Sequence, residues 1–89
     1  MNVIAYCNKD ASIKFGAAIP DGAFGIARGN KAVLAKVLAG TAIVEVDSNT
    51  LIVPGMREST SERGALTALA QFIQQLDQID QPGFRALGA

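Results

Sequence analysis

The residues best placed to do chemistry are two cations that flank a predicted helix start. Arg28 and Lys31 lie on either side of Asn30, at the end of a glycine-rich segment, residues 16–29. Backbone amides at a helix N-terminus attract anions, and nearby cations add to that attraction. The segment has neither a Gly-Lys-Ser/Thr ending nor a spaced G-x-G-x-x-G motif. The pattern is compatible with a weak phosphate or carboxylate site, whereas the missing motifs favour an ordinary capped loop.

The same segment predicts a partner-binding surface made of Phe24, Arg28 and Lys31. Irregular loops on a rigid scaffold commonly carry recognition, and an aromatic ring beside two cations is a frequent anchor at protein interfaces. Such a surface would bind an acidic partner. The alternative interpretation is that Phe24 fills the core and that both cations are solvated.

Catalytic and metal chemistry have little support in the sequence. The chain has no histidine and one cysteine, Cys7, which excludes histidine-dependent triads, imidazole metal sites and an internal disulfide. Its neighbouring carboxylates lack the spacing of a calcium loop. These carboxylates are Glu45 and Asp47, Glu58 and Glu62, and Asp77 and Asp80. We expect Cys7 to be a buried thiol, and we predict no catalytic residue, no metal, no cofactor and no enzymatic activity.

Composition predicts one small folded domain. The chain has 89 residues, of which 49% are hydrophobic and 18% charged, enough apolar material for one core and too little charge for disorder. Net charge is zero, but residues 1–44 carry five basic and two acidic groups, and residues 45–89 carry three basic and six acidic groups. Two electrostatic poles are one interpretation, and scattered solvated charges are the other. Without a signal-peptide pattern or a long apolar run, we expect a cytoplasmic protein without membrane contact.

Hydrophobic patterning predicts two β-hairpins, each followed by a helix. Residues 2–7 and 12–15 form the first strand pair, residues 16–29 a structured loop, and Asn30 caps a helix that ends at Gly40. Residues 41–46 and 51–53 form the second strand pair.

The second helix has the strongest periodic signal in the chain. Ser59 and Glu62 have capping-box spacing. Apolar residues then recur at intervals of three and four: Leu66, Leu69, Phe72, Ile73, Leu76 and Ile79. This spacing predicts an amphipathic helix packed on the sheet. The expected fold is a single α+β domain over residues 1–81, ββ-loop-α-ββ-α with a mostly antiparallel sheet, followed by a flexible tail over residues 82–89.

Several segments resemble small proteins of Mu-like transposable phages and prophages, of the type labelled host-nuclease inhibitor. The matching pieces are MNVIAYC at residues 1–7, IPDGA at 19–23, IARG at 26–29 and LIVPG at 51–55. The resemblance implies a cytoplasmic protein of a bacterial host cell. Its implied action is stoichiometric inhibition of a host nuclease or defence complex by protein-protein binding.

Two other functions remain open at this level. One is a DNA-associated accessory protein of phage replication or transposition, although the scattered aromatic residues give nucleic-acid binding weak support. The other is a self-associating structural module, a homodimer in which the amphipathic helix forms the interface.

Overall fold

A computed structural model describes residues 2–87 and shows a mixed α+β domain with six strands and two helices. In chain order the elements are β1 (Asn2–Cys7), β2 (Ser12–Gly16), β3 (Phe24–Asn30), α1 (Lys31–Thr41), β4 (Ile43–Glu45), β5 (Thr50–Ile52), α2 (Glu62–Asp77) and β6 (Phe84–Ala86). The strands form one antiparallel sheet in the order β4-β5-β2-β1-β3-β6. The predicted fold class is confirmed.

The first hairpin, β1 and β2, is the centre of the sheet. Its turn is closed by hydrogen bonds from the Asn8 amide to the Ser12 carbonyl, at 2.9 Å, and from the Ala11 amide to the Asn8 carbonyl, at 3.0 Å. The Asp10 carboxylate accepts from both the amide and the hydroxyl of Ser12, at 3.0 and 2.6 Å. A short polar side chain that bonds the backbone two residues on is typical of such turns.

Strand β3 occupies residues that the sequence analysis assigned to a loop. Phe24–Asn30 pairs with β1 along its whole length, with an irregularity between Ala5 and Tyr6 that leaves Ile26 as the extra residue of a β-bulge. Glycine-rich strands lack the alternating pattern of a half-buried strand, so their identity depends on the partner strand. The predicted loop is therefore confined to residues 17–23.

The helix caps are set by local side chains. The Asn30 carboxamide accepts from the amides of Ala32 and Val33, at 3.0 and 3.4 Å, which confirms the predicted cap of α1. Helix α1 runs one residue past the predicted stop, to Thr41. Helix α2 is capped by Ser61, whose hydroxyl accepts from the Gly64 amide at 3.0 Å. The N-cap is therefore Ser61 and not the predicted Ser59, and because Gly64 stands three residues after it the predicted capping box does not form.

Both helices pack on the same face of the sheet. One buried cluster joins β1 and β3 to the helices, and it includes Ala5, Cys7, Ile26, Ala27, Leu34, Leu38, Leu69, Phe72 and Leu76. The predicted stripe of α2 is confirmed in its second half, but Leu66, in its first half, is 40% exposed. Within residues 2–87 the helices cover only this face, so the described fold is a two-layer sandwich whose second sheet face carries no helix.

The predicted domain boundary after residue 81 does not match the structure. Phe84 is buried, and Phe84–Ala86 adds strand β6 to the edge of β3. Of the predicted tail, residues 88 and 89 lie outside the described residues. No helix in residues 2–87 combines the length and the hydropathy that a bilayer crossing requires.

Candidate functional site

The sheet face that carries no helix is the candidate site, and we call it the open face. The register places Ile4 opposite Gly16 and Arg28, Tyr6 opposite Lys14 and Gly25, and Arg28 opposite Arg85. Residues opposite one another in an antiparallel pair project from the same face. The open face is therefore defined by Ile4, Tyr6, Lys14, Arg28 and Arg85. Ile4 is buried but belongs to no part of the core cluster beneath the helices, which agrees with this placement.

In the four strands that carry these residues every charged residue is positive, whereas strand β4, two positions beyond β2 in the sheet, places Glu45 on the same face by register. Strands β1, β2, β3 and β6 contain Lys14, Arg28 and Arg85 and no aspartate or glutamate. All three cations are exposed. Within residues 2–87 the single ion pair joins Arg57 to Glu45 of strand β4, at the far edge of the sheet. The open face is thus a local positive surface on a chain with no net charge.

Arg28 and Arg85 lie directly opposite each other in neighbouring strands. Like charges at opposite positions of an antiparallel pair repel and destabilise it. Both arginines line one shallow depression of about 300 Å³, together with Asn2, Gly29 and Gly83. This depression therefore brings together two of the three cations of the open face.

A close backbone contact holds the two arginines in register. The Asn30 amide donates to the Gly83 carbonyl at 2.9 Å. A Cβ atom at Gly29 would lie 1.9 Å from the Gly83 oxygen, so only glycine permits strand β6 to approach β3 this closely. The position of Arg85 opposite Arg28 therefore depends on Gly29, whose missing side chain leaves room for the Gly83 carbonyl just before β6.

A second depression, of about 420 Å³, lies where strand β2 loses its partner β5. Its lining includes Tyr6, Lys14 and Lys31. Lys31, the first residue of α1, thus reaches the rim of the open face, where it adds a fourth cation. The tyrosine supplies an apolar ring with a polar end among these cations, a combination common at binding surfaces.

The structure separates the three residues predicted to bind a partner. Arg28 lies on the open face, Lys31 lines the depression at its rim, and Phe24 lies opposite Cys7 and packs against the core beneath the helices. Phe24 also lines two apolar depressions beside the exposed Leu66. The predicted surface is therefore not one contiguous patch.

The helix N-terminus beside these cations has few donors left for an anion. The Asn30 side chain already accepts from the amides of Ala32 and Val33. An anion there would have to displace this cap, which itself stabilises the helix by about 1 kcal/mol. The geometry agrees with the capped loop that the sequence analysis weighed against an anion site.

Cys7 lies in the core as a buried free thiol. Its Sγ donates to the Asn8 carbonyl at 3.2 Å and to the Met56 Sδ at 3.5 Å. Burial, with a smaller contribution from the negative charge of Asp10, raises the pKa of the Cys7 thiol to about 12. Because the thiolate is the nucleophilic form, this environment disfavours reactivity. In the described part of the chain, no three residues among His, Cys, Asp and Glu are grouped as metal ligands.

Sequence reasoning missed four residues of the open face: Ile4, Tyr6, Lys14 and Arg85. Alternation in strand β1 places Tyr6 and Ile4 on the face opposite Ala5 and Cys7, so a signal for Tyr6 was present. Lys14 alternates in the same way with Ile13 and Phe15. Arg85 lies in a segment of eight residues without periodicity, so nothing local indicates its role.

The class that fold and surface define is a two-layer α+β sandwich with an open, positively charged sheet face. Searches of protein-family models, of curated proteins and of solved structures found no match to this chain.

Proposed function

We propose that this protein acts by binding and without chemistry of its own, and that its open face covers an acidic surface of a partner protein. The observation that carries the proposal is the charge of that face: three exposed cations on four strands that contain no acidic residue. Complementary charge steers association and selects partners. An acidic partner surface would also relieve the repulsion between Arg28 and Arg85.

The composition of the open face favours a protein over a nucleic acid. Tyrosine and arginine are enriched in the energetically dominant residues of protein interfaces; here Arg28 lies opposite the buried Ile4, and Tyr6 follows Ile4 by two residues in the same strand. Single-stranded nucleic acid binds to platforms with several stacking aromatic rings and a long cationic groove. The open face has one ring, Tyr6, and the whole chain has no net charge.

The resemblance to phage host-nuclease inhibitors supports a host nuclease or defence complex as the partner. The positive charge of the open face limits which surface of such a partner it can contact. A surface that binds DNA phosphates is itself basic, so a basic inhibitor face would not cover it. The open face would contact an acidic region instead, such as carboxylates that hold catalytic metal ions.

The test compares charge reversal on the open face with matched reversal elsewhere. The test variant is Arg28→Glu with Arg85→Glu, and the control is Lys36→Glu with Arg63→Glu, two exposed helix residues in the other layer. The probe is a fluorescein-labelled poly-glutamate peptide followed by anisotropy. We expect the test variant to bind at least about tenfold more weakly and the control to bind within about threefold of the wild type.

Three results would contradict the proposal. An equal loss in both variants would show that net charge alone matters. Unchanged binding by the test variant would remove the open face as the site. Tighter binding of the wild type to oligo(dT) than to the peptide would favour the DNA-associated alternative. Affinity capture from bacterial lysate with the same three proteins extends the test, because a true partner is lost with the test variant alone.

A second candidate function is self-association, which exposed apolar residues at strand β4 favour. Ile43, Val44 and Val46 are 46%, 43% and 92% exposed and make up three of the five exposed large hydrophobic residues in residues 2–87. Strand β4 ends the sheet and carries no lysine or proline, the residues that usually block edge pairing. The helix-based interface expected from the sequence is not free, because the stripe of α2 is buried within the domain.

In this second candidate, two copies pair through their β4 strands, antiparallel about Val44. Each Glu45 then lies opposite Ile43 of the other copy, so no like charges meet. Light scattering after size exclusion should give a dimer for the wild type and for Leu66→Lys, and a monomer for Val44→Lys. A monomeric wild type at millimolar concentration would rule this candidate out.

A further inference from the structure

The geometry points to the depression between Arg28 and Arg85 as a subsite for a single carboxylate group, supplied by an aspartate or glutamate side chain of the acidic partner. This inference rests on the proposed function and assigns the chemistry of one point within the open face. Three observations support it: the register that sets the two arginines opposite each other, the absence of a carboxylate paired with either of them in the described residues, and the backbone of Gly29 and Gly83 in the floor of the depression.

The first step is the pairing of the two side chains. Arg28 and Arg85 are opposite residues of an antiparallel pair, which places their Cα atoms about 4.5–5.5 Å apart and their side chains on one face. Both side chains are exposed, and both line the same depression. Two guanidinium groups that share a depression present their donors to a common space, where one anion can bind to both.

The second step is the missing counter-charge. Neither arginine forms an ion pair with a carboxylate in the described part of the chain. The nearest cross-strand neighbour of Arg28 on its other side is Ile4, which is apolar. The mutual repulsion of the two cations is therefore uncompensated inside this domain, and an external anion would remove it.

The third step is the shape of the floor. Gly29 and Gly83 line the depression together with Asn2 and Phe84, so part of its floor is backbone. The close contact of Gly29 with the Gly83 carbonyl fixes the floor, since any larger residue at position 29 would collide with it. Asn2 adds a carboxamide that can donate to an anion.

A carboxylate fits these donors better than a phosphate. Phosphate sites usually add backbone amides to the cations, commonly at a helix N-terminus. The adjacent N-terminus of α1 is closed by Asn30, whose side chain takes the amides of Ala32 and Val33. Paired guanidinium groups bind carboxylate and phosphate alike, so the missing amides and the proposed acidic protein partner are what favour a carboxylate here.

The experiment follows the Nε resonances of both arginines by NMR while glutarate or inorganic phosphate is added to the whole protein. We expect glutarate to shift both resonances along one saturating curve. Arg28→Gln should weaken the response at Arg85 roughly tenfold, and the exposed-residue control Arg63→Gln should leave it unchanged. A titration of thermal stability against salt provides a second readout that needs no ligand. Each single arginine substitution should raise the midpoint at low salt, and the double substitution should raise it no further.

The results that would contradict the carboxylate subsite differ from those that would contradict the proposed function. Independent responses of the two arginines, or tighter binding of phosphate than of glutarate, would overturn the carboxylate subsite. So would a double substitution whose stability change equals the sum of the single changes. If poly-glutamate binding still depends on Arg28 and Arg85 while glutarate fails to saturate them, the open face remains the binding surface and the subsite does not.

Discussion

Replacement of Phe72 by alanine tests whether helix α2 supplies much of the stability of this domain. Phe72 is 2% exposed and belongs to the core cluster between α2 and the sheet. Removing a buried phenylalanine ring costs roughly 3–5 kcal/mol, from lost transfer free energy and the cavity left behind. A chain of 89 residues has a total stability of about 4–13 kcal/mol. The substitution should therefore remove a large part of the free energy of unfolding.

Leu66→Ala is the matched control, because it truncates an apolar residue of the same helix that is 40% exposed. Its expected cost is about 1–1.5 kcal/mol, since less apolar area leaves water there on folding. Urea denaturation followed by far-ultraviolet circular dichroism gives both free energies. Equal costs for the two variants, or a midpoint for Phe72→Ala close to that of the wild type, would refute the packing of α2 on the sheet.

Three further predictions concern a close contact, a buried thiol and a titrating turn. Gly29→Ala should destabilise the domain by about 1–3 kcal/mol in urea denaturation, because its Cβ would meet the Gly83 oxygen at 1.9 Å, whereas Gly40→Ala meets nothing within 4 Å and should be stabilising. A similar destabilisation by both changes would contradict the close contact. Cys7, whose pKa is raised to about 12, should react with Ellman's reagent at pH 8 only as fast as the protein unfolds, and rapid labelling of the native protein would argue against its burial. Hydrogen bonds from the Ser12 hydroxyl and amide hold the pKa of Asp10 below its ordinary value of 3.8. The ionised Asp10 carboxylate therefore stabilises the folded state above that pH, and this stabilisation is lost as the pH falls through the folded pKa. The gap in urea midpoint between the wild type and Asp10→Asn should stay constant from about pH 7 to 5 and shrink below about pH 4; a gap that is constant at all pH values would contradict it.

Local sequence signals were sufficient to predict those elements that are specified by their own residues. The apolar residues of α2 recur at helical spacing, and Asn30 supplies a cap for α1 that needs no distant partner. The β1-β2 hairpin alternates and is closed by its own polar turn. The fold class and the buried position of Cys7 follow from these patterns.

Only tertiary structure decided which strands flank β1 and which side chains share a face. Strand β3 contains two glycines and strand β6 has three residues, so neither has a local pattern, and each is stabilised by hydrogen bonds to a strand distant in sequence. Arg28 and Arg85 are separated by most of the chain and become neighbours only through that pairing. The sequence by itself determined that these cations are present. Their assembly into one positive face depends on the register of the sheet, because a shift of one residue would move the side chains of a strand to the other face.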